Sequence, residues 1–142
     1  MINLYNSQKK YKIIPIKLKR IAKHILELFK CHKDLNIIII DNKTIKKLNR
    51  QYLNHDYITD VISFTFDKKN NGLSINEKLI GEIYVSAEKA FNEAKKRKIE
   101  FDKELARYVI HGILHVFSYN DYRKKDFDKM WKKQEKILNC FF

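Results

Sequence analysis

Apolar residues recur at Leu18, Ile21, Ala22, Ile25, Leu28 and Phe29, with basic residues between them. That three- and four-residue spacing predicts an amphipathic helix over residues 17–30. Residues 35–40 are a short β-branched run, the pattern of a buried strand. Asp41 or Asn42 is placed to cap a second helix, which runs to about Asn49 with Ile45 and Leu48 inward. In VISFTF, residues 61–66, Ile62, Phe64 and Phe66 alternate with Val61, Ser63 and Thr65. The period of two predicts a strand with an aromatic, apolar face in a core and small groups opposite. Residues 67–79 hold the Asn-Asn-Gly cluster and are the expected mobile loop.

Residues 82–85 read as another strand. Ser86 then caps a helix to about Lys98, with Ala87, Ala90, Phe91 and Ala94 inward. The basic KKRK at its end suits the negative pole of the helix dipole. Residues 101–117 form a longer helix that, from Leu105 on, is apolar nearly all round apart from Arg107, His111 and His115. A helix apolar on every side belongs in the centre of a fold. A last helix is expected over residues 126–138, with Met130, Trp131, Ile137 and Leu138 available for packing. Helix, strand, helix, two strands and then helices predict an α+β fold. The expectation is a single domain, residues 1–142, in which a small mixed sheet packs with helices around the central apolar helix.

The chain's 142 residues are enough for one real core. Its 30 Lys and Arg against 17 Asp and Glu give a net charge of +13, which attracts polyanions. An A- and T-rich genome also enriches Lys, Ile and Asn, so charge alone does not assign a partner. Cys31 and Cys140 stand far apart without a CxxC pair and are expected as free thiols in a reducing compartment. MINLYNSQKK lacks the apolar stretch of a secretory signal, and the longest aliphatic run, residues 37–40, is too short to span a membrane. A soluble, cytoplasmic protein with no membrane partner is the expectation.

The candidate chemistry lies in HGILH, His111 to His115, with Asp121 six residues on. Histidines four apart project from one helical face and can hold one metal ion. A carboxylate past the helix end would make three protein ligands and leave a position open, as catalytic zinc sites do. The alternative is two core histidines satisfied by backbone or carboxylate. Gly112, with no side chain, lets a strand or substrate approach the helix. It also removes the metalloprotease reading, because HExxH needs a Glu at that position.

HGILHVFSYND, residues 111–121, resembles the signature of the YbeY endoribonucleases, a His-Gly-x-Leu-His core followed by Gly-Tyr-Asp-His. LNRQYLNHDYITDVISFTF, residues 48–66, is similar to that family's Leu-Asn stretch leading into Thr-Asp-Val-Leu-Ser-Phe. GEIYVS, residues 81–86, is similar to its Gly-Asp-Ile-x-Ile strand. The resemblance runs from about residue 35 onward. It implies a single-strand-specific, metal-dependent endoribonuclease acting in 16S rRNA 3′-end maturation and ribosome quality control, with ribosomal RNA and the small ribosomal subunit as partners. It further implies one divalent ion, zinc, held by His111, His115 and Asp121.

Three positions depart from the family pattern. Asp121 stands where the third histidine is usual, which brings the loop closer and shifts preference towards carboxylate-binding cations. Ser118 stands for Gly; if it is left-handed, Ser costs on the order of 1 kcal/mol. Leu53 follows Tyr52 where many members have Arg; if that Arg serves phosphate binding, another cation must replace it, with Arg50 and Arg107 as candidates.

The expected reaction is metal-assisted phosphodiester hydrolysis, with Tyr119 as a donor to the leaving oxygen. Asp60, Ser63 and Arg107 are candidate substrate contacts, and Tyr52 and Tyr57 are candidate base-stacking residues. Asp60 and Ser63 serve equally well as turn and strand caps, and Tyr119 as core. The alternative function is a non-catalytic rRNA-binding assembly factor with a structural metal site, to which Asp121 and Leu53 lend some weight.

Overall fold

One inner strand of the sheet carries an unbroken run of four isoleucines, residues 37–40. A computed structural model describes residues 1–66 and 78–142. Strand β2 (Asp34–Ile40) sends Leu35, Ile37 and Ile39 into the main core and Ile38 and Ile40 into a smaller cluster on the other side. Both faces are covered, as the uninterrupted aliphatic run requires. It pairs in parallel with β1 (Ile2–Asn6) and with β4 (Leu79–Ser86), and β3 (Val61–Thr65) runs antiparallel to β4. The sheet order is β1-β2-β4-β3, a mixed sheet.

Strand β1 is absent from the sequence reading. Its five residues carry two Asn, and only Ile2 and Leu4 reach the core. So short an edge strand is made by its register against β2, a non-local fact.

The helices are α1 (Pro15–Leu28), α2 (Asn42–Leu53), α3 (Ala87–Arg97), α4 (Phe101–Val116) and α5 (Lys124–Asn139). Together with the sheet they form the expected α+β domain. Pro15, pre-set for the first helical turn, starts α1 two residues before the expected start at residue 17. Asp41 caps α2, its carboxylate accepting from Thr44 N–H at 2.8 Å. That helix runs one turn beyond Asn49 and ends on left-handed Asn54. Ser86 caps α3, accepting from Lys89 N–H at 3.1 Å while donating to Asn42 Oδ1 at 2.7 Å.

Helix α4 is the central element. It packs against α1, α3, α5, β3 and β4, and Leu105, Val109, Ile110, Ile113 and Leu114 are sealed from solvent. The apolar face of β3 lies in a core as expected, but the face that meets α4 is the small one. Ser63 donates to Gly112 C=O at 2.7 Å and Thr65 to Val116 C=O at 3.3 Å, so the small face lies on the main core. Ile62 and Phe64 instead join the smaller cluster beneath α2. Small side chains bring strand and helix close, and Gly112 completes the fit: a Cβ there would lie 2.6 Å from Val61 Cγ2.

Three residues expected inward sit at the surface, Leu28 at the end of α1 and two aromatics. Phe91 is exposed although its ring packs at a tilt against Tyr11, and Trp131 is exposed beside the buried Met130, Ile137 and Leu138. Cys31 and Cys140 are free thiols. Residues 67–77 of the expected loop lie outside the described residues. Among the described residues no helix is long and apolar enough to cross a membrane.

Candidate metal centre

One helical turn separates His111 and His115 on α4, and their Nε2 atoms stand 3.0 Å apart. The chain then reverses. Phe117 ends the helix, Ser118 adopts φ 74°, and two bonds close the turn: Ser118 N–H to His115 C=O at 3.0 Å and Tyr119 N–H to Leu114 C=O at 3.1 Å. This pair of bonds around a left-handed residue is a Schellman cap. It meets the condition set for Ser118 by the sequence and swings Asp121 back over the end of α4. The Asp121 carboxylate comes to 3.8 Å from His111 Nε2 and 3.9 Å from His115 Nε2. The three ligand atoms lie within 4.8 Å of one another.

The donor set fits a cation. His115 Nδ1–H donates to Tyr119 C=O at 2.9 Å and His111 Nδ1–H to Gln134 Oε1 at 2.7 Å. The Gln134 amide is itself oriented, because its Nε2 donates to Glu135 at 3.1 Å. With Nδ1 as the donor on each ring, an imidazole in its neutral form presents an Nε2 lone pair, and the two Nε2 atoms face each other. Two lone pairs at that distance repel unless a cation lies between them. A proton is a poor candidate, since burial and then the neighbouring His111 hold His115 below the usual histidine range. Tyr119 C=O and the Asp121 and Asp60 charges only partly oppose this. A divalent ion accepts both lone pairs and the carboxylate, and tetrahedral zinc with bonds of about 2.0–2.1 Å separates its ligands by roughly 3.3–3.4 Å. The observed edges bracket that spacing.

The other candidates separate clearly. Asp60 lines the cavity beside His111 and Asp121, while its carboxylate also accepts from Val61 N–H at 2.8 Å. Ser63 is spent on Gly112 C=O and ties β3 to α4. Arg107 is in the cavity wall, its Nε and Nη2 both 3.0 Å from Glu135 and its Nη1 paired with Glu104. Two carboxylates therefore already match its charge. Arg50 is on the exposed face of α2 and is not in that wall. The Tyr119 ring packs edge-on to Phe29, and its carbonyl accepts from His115. Tyr52 and Tyr57 are exposed, one against Phe64 and the other stacked on His55.

Gln134 is the residue the sequence reading missed. It is buried on α5 in line with Met130, Ile137 and Leu138. A polar residue on an apolar stripe must find a partner, and that signal was present in the sequence.

Comparison with known proteins bears on the whole chain. The family model described as Endoribonuclease YbeY matches residues 3–141. A protein named Endoribonuclease YbeY from Endomicrobium trichonymphae is 38% identical over 143 residues, spanning all of this chain and 94% of that protein. Its namesake from Alkaliphilus oremlandii is 33% identical over 140 residues, spanning 95% of this chain and 93% of that one. The solution structure of a Thermotoga maritima protein matches with a TM-score of 0.63 at 30% identity, covering 97% of this chain and 87% of the other.

Proposed function

The chain belongs to the YbeY endoribonuclease family, and from that membership we propose that it is a metal-dependent endoribonuclease that cuts single-stranded RNA. The observation that carries the metal dependence is the inward-facing triangle of His111, His115 and Asp121, with both imidazole tautomers fixed from behind. A divalent ion there would offset charge on a phosphate oxygen and acidify a bound water, the two needs of phosphodiester hydrolysis. Zinc is the ion we assign, because two neutral imidazoles and a carboxylate are accepted zinc donors. The chain's own part is to hold Nε2 lone pairs in register and to keep one side of the centre open to the cavity past Asp60.

The net charge of +13 supports RNA as the substrate through long-range attraction to phosphates. We place the activity in 16S rRNA 3′-end maturation and ribosome quality control, in the cytoplasm, with the small ribosomal subunit as partner. Residues 1–142 act as one metallo-endoribonuclease domain. The resemblance of residues 48–66, 81–86 and 111–121 to the family pattern supports this assignment.

The test is metal content of the chain purified without added metal, beside Asp121→Ala, together with cleavage of single- and double-stranded RNA. One zinc per chain, lost or weakened in the variant, with single strands cut preferentially, is the expected result. Zinc that is needed for folding, with RNA bound but never cut, would instead establish an assembly factor with a structural metal. No metal taken up even when zinc is offered would refute the metal centre.

A further inference from the structure

A cavity of about 390 Å³ opens directly beside the metal centre, sharing His111 and Asp121 as part of its wall. Its floor is aromatic. Phe127 and Trp131, one turn apart on α5, lie nearly parallel at 16° with ring centroids 6.0 Å apart. They leave 43% and 41% of their surface in solvent, on a helix whose other large apolar residues are buried. The core does not use them. The Arg107 guanidinium, fixed by Glu104 and Glu135, lies 5.9 Å from the Trp131 ring centroid and braces it.

The charges around this cavity nearly cancel. Its wall carries four carboxylates and three cationic side chains. Arg97 lies 3.7 Å from Glu93 and 3.8 Å from Glu104, and Arg107 pairs with Glu104 as well. Such a cavity has little pull on a second phosphate. It suits a planar, neutral group that gains by stacking. The distances suit one nucleotide: Trp131 is about one helical turn, roughly 5 Å, from Gln134, which touches His111.

We propose that this cavity is a nucleobase subsite, taking the base next to the cleaved phosphate and stacking it on Trp131 and Phe127. The proposal rests on the endoribonuclease reading for its substrate.

Trp131 is the single tryptophan of the chain, so its fluorescence reads the subsite alone. Stopped-flow mixing of the zinc-loaded chain with a single-stranded hexaribonucleotide is expected to quench it before turnover. An abasic residue beside the cleaved phosphate should raise KM about 5-fold or more. Trp131→Ala should raise KM by a similar factor with kcat within about 2-fold, and the abasic change should then add nothing. Trp131→Phe, which keeps a stacking ring, should return KM close to wild type.

The quench and the abasic comparison use the wild-type chain, so they stand whatever the variants do to folding. RNA cut with unchanged Trp131 fluorescence and no abasic penalty overturns the subsite and leaves the nuclease reading intact. A quench without any cleavage keeps base stacking on Trp131 but removes the nuclease reading, and with it the assignment of the subsite beside a cleaved phosphate. Neither quench nor cleavage overturns both.

Discussion

Replacing Gly112 by Ala sets two known effects against each other at the centre of the site. In an ordinary helix interior the change is favourable by about 0.8–1.0 kcal/mol, because Gly carries excess backbone entropy. Here the new Cβ would stand 2.6 Å from Val61 Cγ2, with Ile83 Cγ2 and Ser63 Oγ each at 3.3 Å. Carbon atoms in contact prefer about 3.5–4.0 Å, so β3 and α4 must separate locally by roughly 1 Å. Overpacking of that size costs about 1–3 kcal/mol. The separation also stretches the 2.7 Å bond from Ser63 to Gly112 C=O, which contributes about 0.5–1.5 kcal/mol. The expected net result is a loss of about 1–3 kcal/mol, or a fall in Tm of roughly 3–10 °C for a domain of this size. Urea unfolding followed by far-ultraviolet circular dichroism measures it. Because the worst contact is a single methyl, the cost should shrink by about 1 kcal/mol or more in a Val61→Ala background. A Gly112→Ala protein as stable as wild type, or an identical cost in both backgrounds, would refute the close-packing argument.

Three further outcomes are expected. Ser118→Gly relieves a left-handed residue at φ 74° and should raise stability by about 1 kcal/mol; a neutral or negative change would place the strain elsewhere. Gln134→Met keeps the volume but removes the acceptor behind His111, and should weaken zinc binding about 10–100-fold in a chelator competition while the fold persists. Unchanged affinity would mean that the His111 tautomer needs no partner. Asp41→Ala should cost about 1 kcal/mol at neutral pH. The Thr44 side chain and backbone hold the Asp41 carboxyl below 3.8, so its contribution is complete above that pH. It disappears as pH falls through the lowered folded-state value, and a mutational cost that stays constant down to pH 2 would contradict the assignment.

Much of this protein is written in local patterns. The apolar spacing of α1, the aliphatic run of β2, the caps Asp41 and Ser86 and the all-round apolar α4 are each short-range signals, and each forms where its pattern lies. His111 and His115 share a face because any helix puts residues four apart on one side. What the sequence alone left open depended on partners distant along the chain. The edge strand β1 exists through its register with β2, and the small face of β3 meets α4 because that helix, some fifty residues later, carries Gly112 opposite it. Arg107 lines the cavity beside the histidines but meets carboxylates from two helices there, and the Tyr119 ring packs on Phe29, just past the end of α1, pairings that no local pattern shows. Asp121 reached the histidines through the left-handed turn at Ser118, and Gln134 reached His111 through the packing of α5 on α4. A helical period fixes which residues lie on one face. Only the three-dimensional packing of that face decides what stands across from it.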